Sequence, residues 1–497
     1  MKQIITGHLL DKNKLLCIFI IFIAVILRLY HLGNQSLWLD EAYSVMMSKN
    51  VVMLWAEQIK DPMPPLYYSM LHYWILIWGG SEFSLRLLSA LFGILLIPLV
   101  FITGATIFDR KTGIYAALFA AISPIHIYYS QEARAYTLLA FLSLASSFML
   151  YLSIEKNRNI FWIAYILATV LCLYAHNYGI LLLSAQICFC LFFPVRNILQ
   201  KFAWSQLCIL LAYLPRIAIL FRQIRLDMNP WISAPTIKDL FSTFLRFSLL
   251  SWRLPITPLL SVILKITVPI LVLIFIIGLV NRERQNLFLS TYLIIPLALA
   301  FFISLKIPSY VAGRYDILVF PAFCLIMGVG LNNVRIPFLR LVLVIIITVA
   351  TSCILFNYYF IYRKSNDRVI SEYVQKNSDK RDVIVATGLS VVPFEYYWRQ
   401  NFPPRLFKFP DGPRSAIVRD ALMGDEKYIN FEIKKLTEKI YPLLNENNRL
   451  WILYQPYIFS DRLLYTLKKD FKNTDIITYP KGDNLNQVSR LYIFKRR

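Results

Sequence analysis

The sequence predicts a polytopic α-helical membrane protein of about eleven transmembrane helices, followed by a small extracytoplasmic α/β domain. Apolar runs long enough to cross a bilayer recur from Leu15 to Ile361, in a chain of 497 residues that is 58% hydrophobic with a mean hydropathy of +0.55. Short loops rich in Lys and Arg fall between alternate runs, as cytoplasmic loops do. Beyond residue 361 the long apolar runs stop, and short β-type stretches appear among charged residues.

The predicted spans lie near 15–32, 83–107, 113–129, 137–154, 160–175, 178–194, 202–220, 262–280, 287–304, 317–331 and 338–361. The first follows Lys2, Lys12 and Lys14 in the manner of a signal peptide, but no small-residue cleavage site follows it, so it is taken as a span. Arg110-Lys111, Lys156 with Arg158, Arg196 with Lys201, Arg282 with Arg284, and Arg335 with Arg340 fall on the side of the basic N-terminus. That side is expected to be cytoplasmic and the membrane to be the plasma (inner) membrane. The loops around Asp40-Glu41, Gln131–Arg134, His176-Asn177, 221–261 and Lys306–Arg314 are then extracytoplasmic, as is the C-terminal tail. Leu66–Gly80 is apolar but only about 15 residues long, and is expected to be a re-entrant or interfacial helix.

The net charge of +23 is carried largely by these loops, where it sets orientation and meets anionic membrane lipid. Nucleic acid is therefore not an expected partner. The seven cysteines all lie in apolar runs, none after Cys353, with neither a disulfide framework nor zinc spacing.

The domain division expected is 1–361 for the membrane domain with its external loops and 362–497 for the soluble domain. In the latter, strand-type runs occur at Asp382–Ala386, Arg449–Tyr454, Asp475–Tyr479 and Arg490–Phe494, with helical patterns near 366–377, 431–445 and 460–471. It has no Gly-rich phosphate loop and no metal-ligand cluster. Capping the outer face and contacting an acceptor are the roles expected of it.

The residues that can carry chemistry gather on the outer side. Asp40 and Glu41 follow the first span, where carboxylates are costly unless they have a use; the plainer account is favourable placement at a helix N-terminus. Asp61–Tyr68 carries Pro62, Pro64 and Pro65, which make a rigid entry into the 66–80 helix. Glu132 and Arg134 stand two apart beside Tyr128, Tyr129 and Tyr136, a polar cluster or an interfacial tyrosine belt with a snorkelling Arg. His176 breaks an apolar stretch on the same side. Lys306, Arg314 and Tyr315 open a late span, and the planar fork of Arg314 suits phosphate oxygens.

Taken in order, Ser36-Leu-Trp38-Leu-Asp40-Glu41-Ala-Tyr43-Ser44, Pro64-Pro65-Leu66-Tyr67-Tyr68, Ser84-Leu-Arg86-Leu-Leu-Ser89-Ala90, Ser123-Pro124 to Tyr136, Tyr174-Ala-His176-Asn-Tyr178 and Gly313-Arg314-Tyr315 resemble the C-type superfamily of integral-membrane glycosyltransferases. The resemblance is nearest to the family 39-like branch related to protein O-mannosyltransferases and aminoarabinose transferases, and it covers about residues 15–330. It implies a polyprenyl-phosphate-linked sugar as donor and an acceptor hydroxyl on a glycan, lipid or protein. It implies Asp40 as general base with Glu41 in support, and Glu132 as a second acidic residue shaping the site. Arg134 and Arg314 would stabilise the leaving phosphate, with Lys306 a weaker choice and Tyr128, Tyr129, His176 and Tyr315 lining the substrate. A divalent ion, Mg or Mn, bridging Asp40, Glu132 and phosphate is left open, because several relatives need none. Many relatives carry His or Lys where Met63 stands here, so a basic contact is missing or supplied elsewhere.

Two other functions use overlapping residues. A transporter or flippase of a lipid-linked sugar needs the arginines but no base, and usually buries more charge at mid-membrane. A glycan polymerase or ligase shares the chemistry and differs in acceptor.

Overall fold

The computed structural model describes residues 12–56, 63–192, 196–225, 232–249, 257–280, 284–398, 405–411, 426–478 and 490–496. They form two compact units. The first holds the described residues up to Leu32 and from Val51 to Ile361; the second holds Gly33–Asn50 and those from Tyr362 onward.

The first unit is helical. Its elements are α1 (Lys12–Leu29), α3 (Val51–Ala56), α4 (Leu66–Trp78), α5 (Glu82–Ile107), α6 (Arg110–Ile122), α7 (Pro124–Ser130), α8 (Tyr136–Lys156), α9 (Asn159–Ala175), α10 (Gly179–Leu191), α11 (Arg196–Arg225), α12 (Ile237–Ser248), α13 (Pro258–Val280), α14 (Arg284–Ser304), α15 (Phe320–Asn332) and α16 (Pro337–Phe360), while α2 (Leu39–Ser48) lies in the second unit. Seven helical stretches among the described residues are long and apolar enough to cross a membrane; α9 and α10 are apolar but shorter. Each predicted span overlaps a helix among the described residues; 317–331 opens in a 3₁₀ helix (Tyr315–Val319) before α15, and 113–129 is divided. That run is two helices, α6 and α7, broken at Ser123. The cause is Pro124, which lacks a donor and drives the preceding residue out of helical geometry; Ser123 has ψ 119°. The apolar segment after the two prolines is the 13-residue α4, about 20 Å long and short of a bilayer's apolar thickness.

Two staples inside this unit carry charge or polarity that apolar runs conceal. Arg28, fully buried, donates to the carbonyls of Ala121 (2.9 Å) and Ala120 (3.0 Å) at the end of α6 and lies 2.8 Å from His126 Nδ1. It thereby satisfies carbonyls that the break at Ser123 leaves without helical partners. The Gln131 amide donates to the carbonyls of Arg28 and Tyr30 and accepts from the Tyr358 hydroxyl at 2.9 Å, fixing the turn after α7.

The second unit is built on a five-stranded sheet of order β2-β1-β3-β5-β4, with β1 (Val383–Thr387), β2 (Arg405–Phe409), β3 (Leu450–Tyr454), β4 (Phe471–Thr478) and β5 (Arg490–Arg496). β1 pairs in parallel with β2 and β3, while β5 runs antiparallel to β3 and β4. β1 and β3 are buried on both faces, as parallel central strands require. Val383, Val385 and Ile452 face one core; Ile384, Trp451 and Leu453 face the other. β2 and the helix Val391–Tyr397 have no counterpart among the predicted elements.

Trp38 and Leu39 belong to the first of these cores. The Leu37 N–H donates to the Tyr397 hydroxyl at 2.6 Å. Arg368 donates to the carbonyls of Gly33 and Gln35, and the Gln35 side chain exchanges bonds with Tyr362 and Lys364. The loop that carries Asp40 is thus an integral part of the C-terminal unit, a union across more than 300 residues that the expected boundary at 362 did not include.

Candidate functional site

In the second unit, Asp40 and Glu41 stand in the first turn of α2, 4% and 0% exposed. The Glu41 carboxylate accepts from the Trp38 N–H at 3.4 Å, so it acts at least partly as a helix cap. Asp40 holds the Ser44 hydroxyl through its backbone carbonyl at 3.0 Å.

In the first unit, a buried arginine and aromatic cluster is centred on Tyr136. Arg314 Nε donates to the Tyr136 hydroxyl at 2.6 Å, and its guanidinium lies 5.5 Å from the centres of both the Tyr136 and Tyr315 rings. Arg134 stands over the Tyr136 ring at 5.8 Å and donates to the Tyr68 hydroxyl at 3.2 Å. Tyr129 packs on Tyr136 with ring centres 4.7 Å apart, and His176 lies 5.0 Å from Tyr315 and 6.5 Å from Tyr136.

Local chain geometry explains these positions. The Arg134 turn is pinned to α5: Tyr67 bonds Ser89 at 2.7 Å, and Ser89 donates to the Arg134 carbonyl at 3.0 Å. Arg314 follows Gly313, whose φ of +68° lies in the left-handed region that favours glycine. The Gly313 N–H donates to Asp316 Oδ2 at 3.0 Å, and Thr243 donates to the same oxygen at 2.5 Å. Arg246 donates to the Ala312 carbonyl.

Burial, followed by the nearby Arg134 and Arg314 guanidiniums, lowers the His176 pKa to about 3, so its ring is neutral at ordinary pH. A cavity of about 10 Å³ opens here, lined by Met63, Tyr68, Arg134, Tyr136 and His176 among others and by no carboxylate among the described residues.

The sequence-derived candidates thus divide. Arg134, Arg314, Tyr129, Tyr315 and His176 meet around Tyr136. Glu132 is buried in the same turn as Arg134, whose N–H bonds its carbonyl at 2.7 Å. Tyr128 packs edge-on against Tyr129 at 5.2 Å and against Tyr358 at 5.8 Å. Lys306 is exposed after α14 and takes no part in the described cluster. Asp61 lies outside the described residues. Tyr136, Tyr68 and Gly313 stand in the motifs read above without a role of their own; the aromatic spacing around Glu132-Arg134 is the signal for Tyr136. Among the described residues, no group of three or more His, Cys, Asp or Glu is placed to hold a metal ion.

Residues 62–220 match the family model described as dolichyl-phosphate-mannose-protein mannosyltransferase. No curated protein matches the sequence. Among solved structures, apo ArnT from Cupriavidus metallidurans is similar with a TM-score of 0.62 at 12% identity, covering 97% of this chain and 98% of that one. The same protein bound to undecaprenyl phosphate gives 0.61 at 13%, covering 96% and 97%. The oligosaccharyltransferase AglB from Archaeoglobus fulgidus, in complex with an inhibitory peptide and a dolichol-phosphate, gives 0.56 at 11%, covering 89% and 69%. At such identities the likeness is one of fold.

Proposed function

We propose that this chain, a C-type-fold membrane protein related to the mannosyltransferases and aminoarabinose transferases, is an inverting glycosyltransferase that moves a sugar from a polyprenyl-phosphate donor to an acceptor hydroxyl at the outer membrane face. The observation that carries the proposal is the buried pair Arg134 and Arg314, 5% and 8% exposed, gathered on one tyrosine. Buried guanidiniums are costly, and their planar forks suit the non-bridging oxygens of a phosphate.

In the proposed reaction Asp40 accepts the proton of the acceptor hydroxyl as that oxygen attacks the anomeric carbon. The bond from that carbon to the phosphate oxygen breaks on the opposite face, so configuration inverts. The lipid phosphate leaves with the electron pair, and Arg134 and Arg314 stabilise its charge. Glu132 shapes the site from the Arg134 turn, and Glu41 holds the helix turn that presents Asp40.

The test is transfer of label into membranes from a panel of polyprenyl-phosphate sugars, with a nucleotide sugar as control. Label should pass from a polyprenyl-phosphate sugar alone. Transfer directly from the nucleotide sugar, with lipid-linked synthesis blocked, would refute the donor assignment.

A further inference from the structure

We propose that the Nε2–H of neutral His176 donates a hydrogen bond to a phosphoryl oxygen of the lipid-linked substrate, beside the Arg134 guanidinium. This rests on the function proposed above and adds to it an uncharged donor in the phosphate subsite.

The tautomer follows from the ring's own bonds. His176 Nδ1 accepts from the backbone N–H of Tyr178 at 3.1 Å, so it presents a lone pair and the proton of a neutral ring sits on Nε2. Nε2 is buried without a hydrogen-bond partner, and the residue is only 3% exposed. Leaving a buried donor unsatisfied is costly, and a phenylalanine would fill the same aromatic surroundings without that cost.

The location indicates what the donor is for. The ring lines the cavity shared with Arg134, Tyr68 and Tyr136. Its volume of about 10 Å³ is close to one water, a size that a single phosphoryl oxygen fills. With a guanidinium and phenols around it and no carboxylate in its described lining, it selects an anionic acceptor.

Burial, then the Arg134 and Arg314 guanidiniums, keeps the ring uncharged, and Tyr136, Tyr178 and Tyr315 are the aromatic rings that face it. A third cation would be repelled by the two guanidiniums, whereas a neutral N–H adds a bond to the anion without that repulsion. The proton stays on Nε2 throughout.

The experiment uses the purified full-length protein in detergent with undecaprenyl phosphate as probe, at pH 7 and 8. His176→Phe should weaken binding about ten- to hundredfold, the scale of one hydrogen bond to a charged group, and His176→Gln, which restores an amide donor, should recover most of it. Melting curves confirm that both variants fold. If the wild type binds and His176→Phe binds as tightly, this inference is wrong and the proposed function stands. If the wild type does not bind undecaprenyl phosphate, the inference falls together with that function. Nitrogen-15 spectra of protein labelled at its five histidines supply a readout that a packing role would not move. The signal missing from His176→Gln should show an Nε2–H tautomer from pH 5.5 to 8. It should shift on adding undecaprenyl phosphate and not on adding undecaprenol. Titration near the ordinary histidine pKa, or no shift, overturns the assignment.

Discussion

Replacing Gly313 by alanine tests the geometry that presents Arg314. At φ +68° an L-residue pays roughly 1–2 kcal/mol for left-handed backbone. The added Cβ would also lie 2.7 Å from Arg246 Cδ, 2.8 Å from Arg246 Cβ and 3.0 Å from Ile125 Cδ1. The Cβ of Arg246 is fixed to the backbone of α12, so rotating the side chain relieves only part of the clash. Overpacking of this kind adds roughly 1–3 kcal/mol, giving about 2–5 kcal/mol in all. Gly79 isolates backbone strain from packing: its φ of +76° and ψ of 176° lie in a region open almost to glycine alone, with nothing within 4 Å of an added Cβ, so Gly79→Ala should cost roughly 1–3 kcal/mol without a clash. Thermal unfolding in detergent measures both. Sugar transfer should fall far more in Gly313→Ala, since a displacement of about 1 Å at a charge-stabilising group can cost on the order of 10²-fold. A Gly313→Ala protein with wild-type melting and transfer would refute the reasoning.

Two further outcomes concern the second unit. Trp38→Ala removes a ring, 4% exposed, from the sheet core and should destabilise that unit by about 3–5 kcal/mol, read as faster proteolysis of the region beyond Tyr362; unchanged proteolysis would separate the loop from the domain. Asp367 is buried and bonded to Ser365, and burial pushes its pKa up to about 7. Between the unfolded value near 4 and this folded value, the folded chain holds a proton that the unfolded chain has lost. Stability therefore falls as pH rises through that window, by a few kcal/mol at most. Asp367→Asn should flatten the melting temperature between pH 5 and 8; a parallel pH dependence in both proteins would exclude Asp367 as its source.

Much of the helical framework was legible because membrane-length apolar runs and basic loops are local signals. The break at Ser123 was legible too, in Pro124, but the surrounding apolar run masked it. β2 and the helix Val391–Tyr397 were less so: one is a five-residue run interrupted by lysine, the other carries Pro393, and both are held by tertiary packing. The site followed the same division. Arg134 and Tyr136 stand two residues apart and were readable as a cluster, whereas their meeting with Arg314 and His176 is set by helix packing. No local pattern announces that Trp38 completes a core formed more than 300 residues later. Lys306 has the right charge near the right motif, yet the chain leaves it in the open.

The central claim is tested most directly by Asp40→Asn, compared with wild type at matched expression for transfer from the active polyprenyl-phosphate sugar. The substitution keeps the size of the side chain and removes its basicity. A general base contributes about 10²–10⁴-fold, so transfer should fall by that factor while undecaprenyl phosphate still binds. Wild-type transfer by Asp40→Asn would contradict the account.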